Sequence, residues 1–157
     1  MTKVRIISAE YPLYEHLEQL KMYASVPDDS VDGMLRDILK RAMLMVQEYA
    51  DVALLPCTLQ LTAHDLKPGD AITLYQGGKT VVSAVDREGN DVAYTLDVDR
   101  IIVEQYATSV TVTYTNEVIV PDADKLKPVW WELATAIYDG EEADRQASIL
   151  KKCYWAL

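Results

Sequence analysis

Val46-Gln47-Glu48-Tyr49-Ala50-Asp51-Val52-Ala53-Leu54-Leu55-Pro56-Cys57-Thr58-Leu59-Gln60-Leu61-Thr62 is the stretch on which the fold turns. On its N-terminal side the apolar positions follow a helical period. Val31, Met34, Leu35, Ile38, Ala42, Val46, Tyr49 and Ala53 recur at steps of three, four and seven, the spacing of one helix face. Residues 31–53 make about 34 Å of helix at 1.5 Å per residue. Met43, Leu44 and Met45 widen the stripe, as expected of a helix that packs on more than one side. Pro56 is expected to end it, and the period falls to two: Leu59 and Leu61 alternate with Gln60 and Thr62.

Working outward toward the N-terminus, Asp28, Asp29 and Ser30 form a turn-and-cap cluster, and Leu13, Leu17, Leu20 and Ala24 mark a shorter helix. Toward the C-terminus the alternation continues. Ile72 and Leu74 lead to a tight turn at Gly77-Gly78, and Val81, Ser83 and Val85 face one way with Val82 and Ala84 opposite. Glu88-Gly89-Asn90 makes a second turn, and Val92, Tyr94, Leu96 and Val98 alternate with polar neighbours. Residues 101–103 form a short strand, and Val110, Val112 and Tyr114 alternate with threonines. Short strands joined by such turns read as antiparallel hairpins.

Near Pro121 the period returns to helical. Leu126, Val129, Trp130, Leu133 and Ile137 share a face, Asp122 or Asp124 can cap its start, Pro128 suits only a first turn, and Gly140 closes it. A last helix carries Ala143, Ala147, Leu150 and Tyr154. The expectation is a single α+β domain over residues 1–157. Residues 1–55 are helical, 56–120 form an antiparallel β-hairpin insert, and 121–157 are helices packing on the first pair. No strand pairing is expected before residue 50.

A chain of 157 residues suits one domain and buries roughly 68–70% of the surface its unfolded form exposes. Fifteen basic against twenty-five acidic residues give a formal charge of −10, which argues against a general nucleic-acid binder. Cys57 and Cys153 stand nearly a hundred positions apart, a spacing that predicts two reduced thiols rather than a disulfide framework. No apolar run approaches the roughly 20 residues of a membrane span, and Lys3 and Arg5 precede only Ile6-Ile7, too little for a secretory leader.

Motifs with chemical meaning fail on spacing. Gly77-Gly78-Lys79-Thr80 ends like a phosphate loop, but its first glycine position is Thr73 and a strand follows instead of a helix. The acids of 86–97 mimic a calcium loop, with Asp91 where the sharp turn needs glycine. Asp97 and Asp99 read as a turn, and His16 as a solvated helix residue. His64-Asp65 lacks a serine elbow, and neither histidine has zinc-like spacing. No catalytic, metal or cofactor-binding residue is assigned, and no cofactor or enzymatic activity is expected. The aromatics offer interface candidates instead: Trp131, about 100° round the helix from Trp130, and the apolar chain end Tyr154, Trp155 and Leu157.

Several stretches resemble the phage head-tail connector family, the portal-associated adaptor proteins. Leu13-Tyr14-Glu15-His16-Leu17 through Asp28-Asp29 resembles the family's short first helix and acidic turn. Leu35, Ile38, Ala42 and Glu48-Tyr49 resemble its long second helix. Ile72-Thr73-Leu74-Tyr75-Gln76-Gly77-Gly78, with residues 81–86 and Gly89, resembles its strand-turn-strand insert. Val110-Thr111-Val112-Thr113-Tyr114-Thr115 resembles its closing strand, and Pro121 followed by residues 126–138 its third helix. The resemblance implies a structural subunit of a tailed phage or prophage virion, assembled in the bacterial cytoplasm. It would form a ring with copies of itself, twelvefold after the portal, bind the portal protein, and dock tail or stopper proteins. Double-stranded DNA would pass through without specific binding, which an acidic chain permits, and no membrane is involved. A generic intracellular protein-binding module, or a small enzyme with a dispersed site, are the alternative readings.

Overall fold

The computed structural model describes residues 3–9, 13–26 and 29–157. The chain has mixed α+β architecture, with helices toward both ends and two antiparallel sheets between them. It divides into two compact units: residues 1–10 with 55–118, and residues 11–54 with 119–157.

The first unit is the β unit. Its larger sheet joins β1 (Val4–Ala9), β2 (Cys57–Leu66), β7 (Ala107–Asn116) and β4 (Gly78–Val85) in the order β1-β2-β7-β4. Its smaller sheet joins β3 (Ala71–Thr73), β6 (Arg100–Val103) and β5 (Tyr94–Asp97) in the order β3-β6-β5. The alternation read in the sequence becomes register: Leu59 lies opposite Tyr114 and Leu61 opposite Val112. Tyr114 and Val112 are fully buried with Leu59, Ile101, Val103 and Val110. Tyr114 sets the local geometry. Its hydroxyl donates to the Tyr75 carbonyl at 3.1 Å, and its ring lies so close to Gly78 that a Cβ there would sit 2.6 Å from Cε2 and 2.6 Å from Leu74 Cβ. Gly78 is therefore a strand residue chosen for close approach, while the turn itself uses Gln76 and Gly77 at positive φ. Asn116 closes the base of the sheet: its amide donates to Leu55 O at 3.2 Å and its Oδ1 accepts from Cys57 N at 2.7 Å.

β1 corrects the expectation that no strand pairs before residue 50: Val4 pairs with Leu61 and Ile6 with Leu59. A bulge between Ile6 and Ser8 breaks its alternation and leaves Ile7 exposed, so the period-2 signal is only a few residues long. A second bulge, between Val81 and Ser83, shifts the phase of β4. Val81 and Ala84 then face the core and Val82 is exposed, in place of the expected Val81-Ser83-Val85 face.

The second unit holds α1 (Leu13–Ala24), α2 (Asp32–Ala50), α3 (Val120–Tyr138), α4 (Ala143–Leu150) and α5 (Cys153–Ala156). α2 and α3 form its centre, with Leu35, Leu39, Ala42, Met43 and Val46 buried on one and Leu126, Trp130, Leu133 and Ala134 on the other. Trp130 Nε1 donates to Leu39 O at 2.9 Å, so the largest buried side chain is also hydrogen-bonded. His16 is buried against the Trp130 ring at 5.0 Å, not solvated, because the neighbouring face of α1 turns inward with Leu17 and Leu20.

The helix ends differ from expectation in their chemistry. α2 stops at Asp51 (φ 53°), ahead of Pro56, and Gln47 Oε1 then accepts from Leu54 N at 2.9 Å to hold the following buried segment. α3 starts at Ile119 with no side-chain cap from Asp122 or Asp124; Pro121 in the first turn has no N–H to satisfy. Pro128 lies inside α3 rather than in its first turn; it is exposed, so the carbonyl deprived of a donor can turn to water. Gly140 (φ 73°) ends α3 as expected, with Glu141 N to Ala136 O at 2.9 Å and Gly140 N to Ile137 O at 3.1 Å. The last helix is two pieces, and its buried side chains are Ile149 and Cys153, while Ala143 and Ala147 are exposed.

Candidate functional site

Two of the sequence-derived interface candidates meet on one feature. α5 packs on the end of α2 through buried Cys153, and Tyr49, Ala50, Cys153, Tyr154 and Leu157 line a hollow of about 160 Å³. The Tyr49 and Tyr154 rings meet edge to face at 5.6 Å. Pairing with the Tyr154 hydroxyl, followed by burial, holds the Tyr49 phenol above its ordinary pKa. Burial likewise pushes the Cys153 thiol up, which keeps it protonated and unreactive. Both cysteines are buried, and no disulfide joins them. Trp155 projects from the same short helix with 90% of its surface exposed; Tyr154 and Leu157 are also exposed.

Trp131 does not line this hollow. It is half-buried on α3 and packs against Tyr23 of α1 at 6.4 Å, and its indole Nε1 is buried without a hydrogen-bond partner among the described residues. Tyr23, Met22 and Met34 extend an exposed apolar surface along α1 and the start of α2. Met22 and Tyr23 escape a sequence reading because they lie outside the 13-17-20-24 face of α1.

The charged clusters are structural. Lys21 is buried in α1 and hydrogen-bonds Asp29, with Asp32 at 3.1 Å and Glu18 at 3.8 Å. The oxygens of Glu18, Asp29 and Asp32 converge as a cation site would, and the Lys21 ammonium is the cation they surround. The hydrogen bonds to Asp29 and Asp32 raise the Lys21 pKa well above the usual lysine range. Glu132 on α3 accepts from Lys152 at 2.6 Å and lies 3.5 Å from Arg145, tying the C-terminal segment to α3. Among the failed motifs, Lys79 pairs with Glu117 at the start of strand β4, and the Asp86 carboxylate accepts from Glu88 N and Asn90 N as a turn.

The outward face of the larger sheet has its own character. Thr58, Gln60, Thr62 and His64 lie opposite Thr115, Thr113, Thr111 and Ser109, with Thr62 and Thr111 hydroxyls 3.1 Å apart. Toward β1 a shallow groove is lined by Lys3, Arg5, Gln60, Thr62 and His64, with no acidic side chain among its lining residues. In a chain of charge −10 this is a locally basic surface. No helix among the described residues is long and apolar enough to cross a membrane.

No protein-family model matches the chain, and no curated protein does. Solved structures do. A chain of the neck of a native gene transfer agent (GTA) particle, computed with C12 symmetry, superposes with a TM-score of 0.63 at 16% identity, covering 96% of this chain and 94% of that one. A chain of the neck of the empty GTA particle, computed with C6 symmetry, gives 0.64 at 17% identity over 87% and 84%. A chain of the native GTA virion gives 0.63 at 15% identity over 95% and 93%. The likeness spans most of both chains and is one of fold.

Proposed function

We propose that this protein is a head-tail connector subunit of a tailed phage or prophage. It assembles as a ring below the portal, extends the DNA channel, and offers a docking surface to a tail or stopper protein. The observation that carries the reading is the near-complete shared fold with a chain of the twelvefold GTA neck, covering 96% of this chain. The resemblance to connector proteins read from the helix and strand motifs supports it independently. The chain acts as a structural part of the particle, without catalysis or a cofactor, and is assembled in the bacterial cytoplasm before it joins the virion.

Trp131, Tyr154, Trp155 and Leu157 supply its partner contacts in this reading. Trp155 is the strongest of them, because a side chain so exposed contributes little to the monomer and much to a contact that covers it. Duplex DNA passes the ring without specific binding, consistent with the acidic charge of the chain.

Co-expression with a tailed-phage portal protein, followed by electron microscopy, tests the reading. A ring of this chain at one pole of the portal is the expected result. A monomer that never joins a portal and instead captures an unrelated cytosolic protein would replace the connector by a generic binding module.

A further inference from the structure

Val98 combines two features that a stable monomer avoids. It is a β-branched residue at positive φ (58°), and 85% of its surface is exposed. It lies at the tip of the β5–β6 hairpin, where Asp97 pairs with Arg100 and only Val98 and Asp99 form the loop. Positive φ at the first loop residue alone is the pattern of a turn that glycine normally fills. The neighbours impose the conformation. Leu74 N donates to Asp99 O at 2.7 Å, Arg100 Nε donates to the Asp97 carboxylate at 3.0 Å, and Ile101 beside them is fully buried. Strain held in place this way, with an apolar side chain offered to water, has no return within the monomer.

We propose that this tip is a docking knob for a second copy of the chain, with Val98 seated in the neighbour's hollow between Tyr49, Cys153, Tyr154 and Leu157. The inference rests on the ring reading above. A closed ring needs heterologous contacts, in which each subunit carries two unlike and complementary patches. The chain carries such a pair: a convex apolar tip on the β unit and a concave apolar hollow on the helical unit. The hollow's volume, about 160 Å³, is in the class of cavities that accept a benzene ring, so a valine side chain fits. The charges orient the knob. Asp99 is exposed beside it; next to the socket residues Lys151 is exposed two positions before Cys153, while Glu48 and Asp51 are exposed beside Tyr49 and Ala50, so Asp99 would sit on the Lys151 side.

The test uses the full chain in sedimentation or native mass measurements over a concentration series, alongside thermal unfolding. Val98→Gly relieves the positive φ, so Tm is expected to rise by about 2–4 °C. Loss of the knob should weaken self-association at least about tenfold. Ala50→Phe fills the hollow and should weaken association similarly, and the double variant should be no weaker than either single one. An independent pair covers a failure of Ala50→Phe to fold: Asp99→Lys and Lys151→Asp should each weaken association, and together restore it. If Val98→Gly raises Tm while association is unchanged, or if knob and socket variants weaken it additively, the proposal is overturned and the ring reading stands. If the wild-type chain stays monomeric at every concentration and salt and also when a portal ring is added, the ring reading falls and the knob loses its partner with it.

Discussion

The two compact units expose apolar surface in different ways. The helical unit presents it broadly: Met22, Tyr23 and Met34 along α1 and α2, and Tyr154, Trp155 and Leu157 at the chain end. The β unit presents it at single points, Ile7 and Val82 at bulges, Leu96 on β5, and Val98 and Tyr106 in loops, while the outward face of its larger sheet is polar. The reason is geometric. A helix that packs on several neighbours carries a wide apolar stripe, and the part the fold leaves uncovered stays exposed along it. A strand sends alternate residues to opposite faces, so apolar exposure comes as isolated side chains, most of them where a bulge or a turn breaks the alternation. In the proposed ring the helical unit would supply area for association and the β unit points of register.

The largest test of that division is at the centre of the helical unit. Trp130→Ala removes the largest buried side chain together with its hydrogen bond to Leu39 O, and should cost about 3–5 kcal/mol in urea unfolding. Gly78→Ala is the corresponding break in the β unit. Its new methyl meets Leu74 and Tyr114, and displacing them should cost about 1–3 kcal/mol. Far-UV circular dichroism near the strand and helix bands separates the two losses. A Gly78→Ala chain as stable as wild type would mean that Tyr114 is not the fixed point of the sheet.

A smaller effect belongs to Lys21. Its folded-state pKa is raised, so its contribution is fully present below the ordinary lysine value of about 10.4 and is lost only as pH rises beyond that toward the folded value. The helical unit should therefore lose stability in strong alkali, and Lys21→Met should remove the part of that slope due to this residue. An unchanged slope in the variant would assign the alkaline loss elsewhere, for example to Tyr49, whose raised pKa acts in the same direction. The smallest effect on the monomer comes from deleting residues 154–157. Cys153 and Ile149 keep the end of the chain buried, so the unfolding midpoint should hold while association weakens. A truncated chain that unfolds would place the tail in the monomer core.

The changes of period at Pro56 and Pro121 carried the α+β order into the structure because long amphipathic helices and alternating threonine strands announce themselves over many residues. β1 did not, since the bulge at Ile7 leaves too few alternating positions to count. His16 was misplaced because its polar neighbours in sequence do not share its face, and only the Trp130 ring shows where it points. The hollow at Tyr49 and Tyr154 was half legible: the apolar chain end stood out, but its seat on α2 needed tertiary placement. Val98 looked like one more strand residue, because positive φ has no signature when the residue that adopts it is not glycine or asparagine.

Native mass spectrometry of the chain across roughly 0.01 to 0.5 M volatile salt reads its assembly directly. In the proposed ring each subunit would bring ten net negative charges. At low salt the screening length is about 30 Å and the whole ring repels itself; near 0.15 M it is about 8 Å and only adjacent groups interact. Monomers or weak associations are expected at low salt, and growing oligomers that end in a closed ring as salt rises or as the portal is added. A tight small oligomer at low salt that falls apart as salt is added, or a monomer that neither salt nor portal assembles, would contradict it.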